Sequence, residues 1–236
     1  FMIAANVAAA KFMQKHALEF ANIFRIHEEP SLLKLKNLAQ ILKQYNFELP
    51  KADLNKSKTF NKILTDSNTS EHKDVIHPAV LRSQSQAVYQ VENLGHFALN
   101  LLDYIHFTSP IRRYADLCIH RKINAILEKQ LEVINEEKMI EIAEHISTTE
   151  RASIKAERAT IDRYVASFMR KNIGQTVGST MSAVTGFGMF LTIAGTGADA
   201  MIPFRLLKHD FFIYDQEKKI LTGERTGETY KTGDLL

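Results

Sequence analysis

Residues 104–122, YIHFTSPIRRYADLCIHRK, put two adjacent arginines, Arg112 and Arg113, one residue behind a Thr-Ser-Pro turn and ahead of an apolar run at helical spacing. A helix amino terminus carries partial positive charge and free N–H donors, so it receives phosphate groups well. Guanidinium groups add bidentate contacts to phosphate oxygens. Proline suits the first turn of a helix, where its missing N–H has no partner to lose, and Thr108 or Ser109 can cap that turn. The arrangement therefore has the makings of an anion clamp. On spacing alone it is as consistent with a plainer role, in which Arg112 and Arg113 pair with carboxylates such as Asp103 or Asp116. Tyr114, Leu117, Cys118 and Ile119 fall at positions expected for a core face. His106 and His120 lack the paired spacing of zinc ligands.

The elements that must hold this stretch can be read from periodicity. An amphipathic helix runs to about His16, and NIFRIHE (22–28) alternates like a short strand. SLLKLKNLAQILKQYN repeats Leu and Ile at helical spacing behind Ser31, a candidate N-cap. The polar stretch 50–74 is expected to hold one short helix near Lys58–Leu64. HPAVLRSQSQAVYQ reads as the next helix with Pro78 in its first turn, and PIRRYADLCIHRKINAILEK as another opened by Pro110. From Ile134 to about Lys171 the pattern is helical and densely charged. Near residue 173 the character changes: glycines enter and β-branched and aromatic residues alternate, as in a small antiparallel barrel or sandwich.

Bulk properties leave the function class open. The 236 residues, 45% hydrophobic and 24% charged, fit a globular α+β chain of one or two domains. The net charge of +3 is too small to announce nucleic acid by itself. Residues 175–236 hold six Lys and Arg against seven Asp and Glu, so the basic excess lies in the helical part. The single cysteine, Cys118, favours a reducing compartment, and the expected location is cytoplasmic. No stretch approaches the roughly 20 apolar residues of a membrane span.

GHFALNLLDYIHFTSPIRRYADLCIHRKI closely resembles the signature region of the RNB (ribonuclease II / ribonuclease R) family of exoribonucleases. FMIAANVAAAKFMQKH, FRIHEEPS, LRSQSQAVYQVENLGHFAL and ERASIKAERATIDRYVASFM resemble successive blocks of the same catalytic domain, and GQTVGSTMSAVTGFGMFLTI resembles the start of an S1-type OB barrel. The resemblance covers practically the whole chain in the family's order. It implies an α+β fold: residues 1–172 as the mainly helical second half of an RNB domain, and 173–236 as an S1-type barrel that stops short at YKTGDLL. MIPFRLL stands where ribonuclease R usually has a histidine-bearing block, a departure closer to ribonuclease II.

The implied activity is processive 3′-to-5′ hydrolysis of RNA to nucleoside 5′-monophosphates, with Mg²⁺ held by aspartates. By resemblance Arg112 contacts the scissile phosphate and Glu157 the RNA end. Arg113, His106 and Ser109 line the same site, and Phe187 and Phe190 of the barrel stack on bases. One of those two phenylalanines is expected in the core, since residues three apart in a strand face opposite sides. Glu157 is also compatible with a surface ion pair to Arg151 or Lys155. No Asp-x-Asp-Asp cluster occurs: Asp53, Asp66, Asp74, Asp103, Asp116 and Asp162 are scattered. The expectation is a chain that supplies the phosphate clamp and RNA channel, takes single-stranded RNA by its 3′ end, relies on metal ligands outside itself and is inactive alone. The alternative is a non-catalytic RNA-binding module.

Overall fold

A computed structural model describes residues 1–16, 21–50, 56–130, 135–207, 210–216 and 218–236. Six α-helices and eight strands appear among them: α1 (Met2–His16), β1 (Phe24–Ile26), α2 (Leu32–Gln44), α3 (Ser57–Asp66), α4 (Lys73–Ser83), β2 (Val88–Gln90), α5 (Tyr114–Leu127), α6 (Glu136–Met169), β3 (Ser179–Val184), β4 (Gly188–Ile193), β5 (Asp199–Pro203), β6 (Phe212–Asp215), β7 (Ile220–Gly223) and β8 (Thr229–Tyr230). The fold is α+β, with every strand pair antiparallel. Among the described residues no helix is long and apolar enough to cross a membrane.

The chain divides into two compact units. The first comprises Phe1–Leu35, Pro50–Asn61 and Ser83–Ala159. Its core has two parts. Ala9, Ala10 and Met13 of α1 meet Phe24, Ile26, Ile105 and Ile119 in one, while Ile23, Tyr89, Ala115, Cys118, Met139, Ala143 and Ile146 form the other. Helix α5 serves both, because positions 115, 118, 119 and 122 follow the three-four spacing that puts residues on one helical face. Three expectations change in the helical part. Residues 88–90 are not helical: Val88 and Tyr89 lie in β2, paired with Phe24–Ile26 of β1, because the Ser and Gln run after residue 83 ends α4. Pro110 does not open α5, which begins at Tyr114; residues 110–112 form a turn ahead of it. Pro78 also lies deeper than the first turn, since α4 begins at Lys73. Ile134 and Asp53 fall outside the described residues.

The second unit comprises Lys36–Leu49, Lys62–Arg82 and Thr160–Leu236. Its strands form two three-stranded sheets, β3-β4-β5 and β6-β7-β8. Both contribute to one core, with Met181, Val184, Met189 and Leu191 from the first sheet and Leu221 from the second. The chain end returns to β3, where Ser179 and Leu236 exchange backbone hydrogen bonds of 2.8 and 2.9 Å. Gly188 is required by close approach: a Cβ there would stand 2.8 Å from the Ile202 carbonyl oxygen across the β4–β5 pair. Residue 173 lies within the Thr160–Leu236 segment of this unit, which also takes in Lys36–Leu49 and Lys62–Arg82.

Asp210 ties the second sheet together. Its carboxylate accepts from Phe211 N at 2.7 Å, Thr226 Oγ1 at 2.7 Å and Thr226 N at 2.8 Å, and Arg225 N also donates to it. These donors, the Thr226 hydroxyl foremost, hold its pKa well below the ordinary carboxylate range. A carboxylate with a depressed folded-state pKa stabilises the fold above its unfolded value of about 3.9, and the contribution is lost as pH falls through the folded value. Asp210→Ala should therefore lower the thermal midpoint at pH 7, with the gap to the parent narrowing on acidification; a constant gap from pH 7 to pH 2 would contradict this.

Candidate nucleic-acid interface

The segment 104–109 is extended and anchored along its length. Arg25 N donates to the Tyr104 carbonyl at 2.9 Å. Asn6, buried in α1, donates through Nδ2 to the Tyr104 hydroxyl and accepts from Phe107 N through Oδ1, both at 3.0 Å. His120 of α5 stacks on Phe107 with ring centroids 4.2 Å apart, and its Nε2 hydrogen-bonds the Phe107 carbonyl at 2.9 Å. The chain then turns: the Ser109 carbonyl accepts from Arg112 N at 3.3 Å and Arg113 N at 3.1 Å. Arg113 is the N-cap, extended at φ −126° and ψ 117°, with no side-chain cap bond. Asp116, in the first turn of α5, instead accepts from Ser109 N at 2.7 Å and so ties the preceding turn to the helix.

This geometry separates the two arginines. Arg113 donates from Nη2 to Asp116 Oδ1 at 2.7 Å, three residues apart on the same helix start, so the plainer ion-pair role belongs to it. Arg112 is exposed, and among the described residues its guanidinium has no hydrogen-bond or ion-pair partner. A free guanidinium on a braced turn keeps its full capacity for an incoming anion. Ser109 serves the turn through its backbone N–H and C=O.

His106 points another way from what a cationic site would need. Its Nδ1 bonds the Tyr89 hydroxyl at 2.8 Å, and burial, reinforced by the nearby Arg113 and Arg25 charges, holds its pKa down to about 3. It is neutral at physiological pH and available only as a hydrogen-bonding ring. Burial in turn pushes the Tyr89 phenol up to about 12. The Arg25 guanidinium lies 4.5 Å from the Tyr89 ring centroid and makes a bidentate pair with Glu150 of α6 at 2.8 and 3.1 Å.

Tyr114 is a correction. Its ring is 48% exposed rather than in the core, and the Arg121 guanidinium sits 5.9 Å from its centroid. The buried face of α5 runs through 115, 118, 119 and 122, which leaves 114, 117, 121 and 124 on other sides of the helix. That spacing was available in the sequence as a signal that Tyr114 and Arg121 share an outer stripe. Glu157 is exposed on α6, within a stretch, 151–164, that is exposed throughout, and no bond links it to Arg112 among the described residues.

Phe187 and Phe190 also depart from expectation. Phe187 precedes β4 instead of lying in it, so strand alternation does not separate the pair. The rings meet edge to face, with centroids 5.9 Å apart, and neither belongs to the buried core. Phe187 is 63% exposed, and Met201, opposite Phe190 in the ladder, is 46% exposed.

Among the described residues no three His, Cys, Asp or Glu side chains come together as metal ligands. The donor set among the described residues does not fit a Mg²⁺ site.

Similarity to known proteins agrees with this geometry. Ribonuclease R of Escherichia coli strain K12 is 35% identical over 246 aligned residues, which take in all of this chain and 30% of that protein. The chain thus spans about a third of the length of the curated relatives it matches. The apo form of Mycoplasma genitalium RNase R superposes with a TM-score of 0.89 at 30% identity, over the whole chain and 37% of that structure. The same enzyme in complex with ribose methylated single-stranded RNA superposes at 0.88 and 32% identity, with the same coverage. The model of the RNB domain matches residues 1–129, the stretch that contains α1, the β1–β2 pair and the whole Arg112 turn with α5, and the chain belongs to that family.

Proposed function

We propose that this chain is the RNA-clamping portion of a 3′-to-5′ exoribonuclease that hydrolyses single-stranded RNA processively to nucleoside 5′-monophosphates in the cytoplasm. The observation that carries the reading is the Arg112 guanidinium, exposed and unpaired among the described residues on a turn that Asp116 holds at Ser109 and that follows a segment anchored at Phe107 by Asn6 and His120. A preplaced cation of this kind costs no reorganisation when negative charge builds on a phosphoryl group, which is where it lowers a barrier. Tyr114 and Arg121 on the neighbouring helix face offer a ring and a second guanidinium to the same strand. The Mycoplasma genitalium enzyme, described with single-stranded RNA, supports RNA as the ligand.

Within the reading, Arg112 meets the scissile phosphate and Glu157 the 3′-terminal nucleotide. Arg113 shapes the turn, and Ser109 and His106 add neutral hydrogen-bonding groups beside it. Residues 1–172 act as the RNB portion and 173–236 as the S1-type portion. Mg²⁺ in the whole protein would be held by carboxylates outside this chain, in keeping with the scattered aspartates of the sequence. The chain alone is then expected to bind RNA without cutting it.

The β-sheet part makes a separate prediction. Replacing both Phe187 and Phe190 by alanine should weaken single-stranded RNA binding by about 1–3 kcal/mol per stacked base lost. The thermal midpoint should stay put, because neither ring packs in the core. Fluorescence anisotropy of a labelled oligonucleotide over a salt series tests the whole reading: log K should fall with log salt at a slope of about 0.7 per phosphate contacted. Affinity independent of salt would remove it. A non-catalytic RNA-binding module is the second reading, favoured by the lack of a metal-ligand cluster among the described residues. Release of nucleoside monophosphates by the whole natural protein decides between the two.

A further inference from the structure

Asp116 occupies a position that the clamp alone does not explain. The side chain is fully buried, and its Oδ1 receives two hydrogen bonds of 2.7 Å, one from Ser109 N and one from Arg113 Nη2. Ser109 in turn holds Arg112 N and Arg113 N through its carbonyl. A single carboxylate thus reaches the Arg112 backbone through two hydrogen bonds and one residue. It also engages the only other guanidinium of the pair. Behind it, Ala115, Cys118 and Ile119 set α5 into both parts of the core, so the carboxylate has a fixed base. Asp116 Oδ2 and Arg113 Nε are both buried with no partner among the described residues. A buried ion pair that leaves polar atoms unsatisfied is poor value as a source of stability, which points to a role in geometry.

We infer that Asp116 is a positioning residue: its buried carboxylate locks the Ser109–Arg113 turn and holds Arg113 back, so that Arg112 alone is presented to the RNA phosphate. The inference rests on the reading of Arg112 given above. Removal of the carboxylate frees Ser109 N–H and leaves Arg113 without its counter-charge beside His106, which already feels its field. The turn then loses its defined shape, and Arg112 must pay an ordering cost each time it meets a phosphate.

The test is a double-mutant cycle on the 236-residue chain, read by anisotropy with a labelled single-stranded RNA 12-mer. Arg112→Ala and Asp116→Ala should each weaken binding about tenfold, as expected for one charge-assisted hydrogen bond. The double variant should bind no worse than Arg112→Ala alone, because Asp116 acts through Arg112. Asp116→Asn, which keeps the shape and an acceptor for Ser109 N–H, should recover part of the loss and serves if the alanine variant fails to fold. Losses that multiply in the double variant, or a folded Asp116 variant that binds like the parent, would overturn the inference. Amide hydrogen exchange at Ser109 separates the two ideas: it should be slow in the parent and in Arg112→Ala and fast in Asp116→Ala. If Arg112→Ala binds RNA like the parent, the clamp reading fails, while rapid exchange at Ser109 in the parent defeats the anchoring itself.

Discussion

Arg112→Ala is expected to slow RNA hydrolysis by the whole natural protein by about 10²–10³-fold, the usual cost of deleting one preorganised donor aimed at developing charge. The loss should fall on turnover more than on apparent substrate affinity, because a guanidinium aimed at the reacting phosphate interacts more strongly as charge builds there in the transition state. The same substitution should leave the thermal midpoint unchanged. Arg112 is exposed, and among the described residues its side chain has no hydrogen bond or ion pair to break. Lysine at 112 should recover only part of the rate, since an ammonium supplies a point charge without the bidentate fork. Turnover within twofold of the parent, with equal binding of the 3′ end, would remove Arg112 from the chemistry.

Lys122→Met should stabilise the protein at pH 7, by roughly 2–3 kcal/mol. Lys122 is 7% exposed on the inner side of α5, and its Nζ has no hydrogen-bond partner among the described residues. Burial lowers its pKa to about 8. The unfolded chain, with an ordinary lysine near 10.4, therefore binds more protons than the folded one across the window from about pH 8 to pH 10.4. Stability of the parent rises with pH through that window, and below it the folded state carries the full cost of a buried charge. Methionine keeps much of the length and removes the charge. Urea unfolding should show the variant ahead at pH 7 and the advantage shrinking by pH 10.5. A variant no more stable than the parent at pH 7 would mean that the amine is compensated.

How much could be read in advance depended on which force set each feature. The helices α1, α2 and α6 were legible because apolar residues recur over many turns, and α6 ends at Met169, close to the expected limit. Strand β2 is not legible in the sequence because three residues, Val88–Gln90, cannot establish a period, and their pairing with Phe24–Ile26 is a contact across more than 60 positions of sequence. Helix α5 starts at Tyr114, a turn later than Pro110 suggests. Proline tolerates a first helical turn, but here Asp116 draws in Ser109 N–H and so stabilises residues 109–113 as a separate turn. The sequence named both partners for the arginine pair without distinguishing them. The i,i+3 spacing of Arg113 and Asp116 selects one, and Arg112 is left to solvent. Alternation puts Phe187 and Phe190 on opposite faces only if both lie inside one strand, and β4 starts after Phe187.

The claim that most of this depends on is that Arg112 meets one backbone phosphate of the RNA. Replacing phosphates of a single-stranded RNA one at a time by neutral methylphosphonates measures it directly, with affinity compared between the parent chain and Arg112→Ala. One replacement should cost the parent about tenfold and cost Arg112→Ala nothing. If every replacement costs the two proteins equally, Arg112 touches no phosphate and the account is wrong.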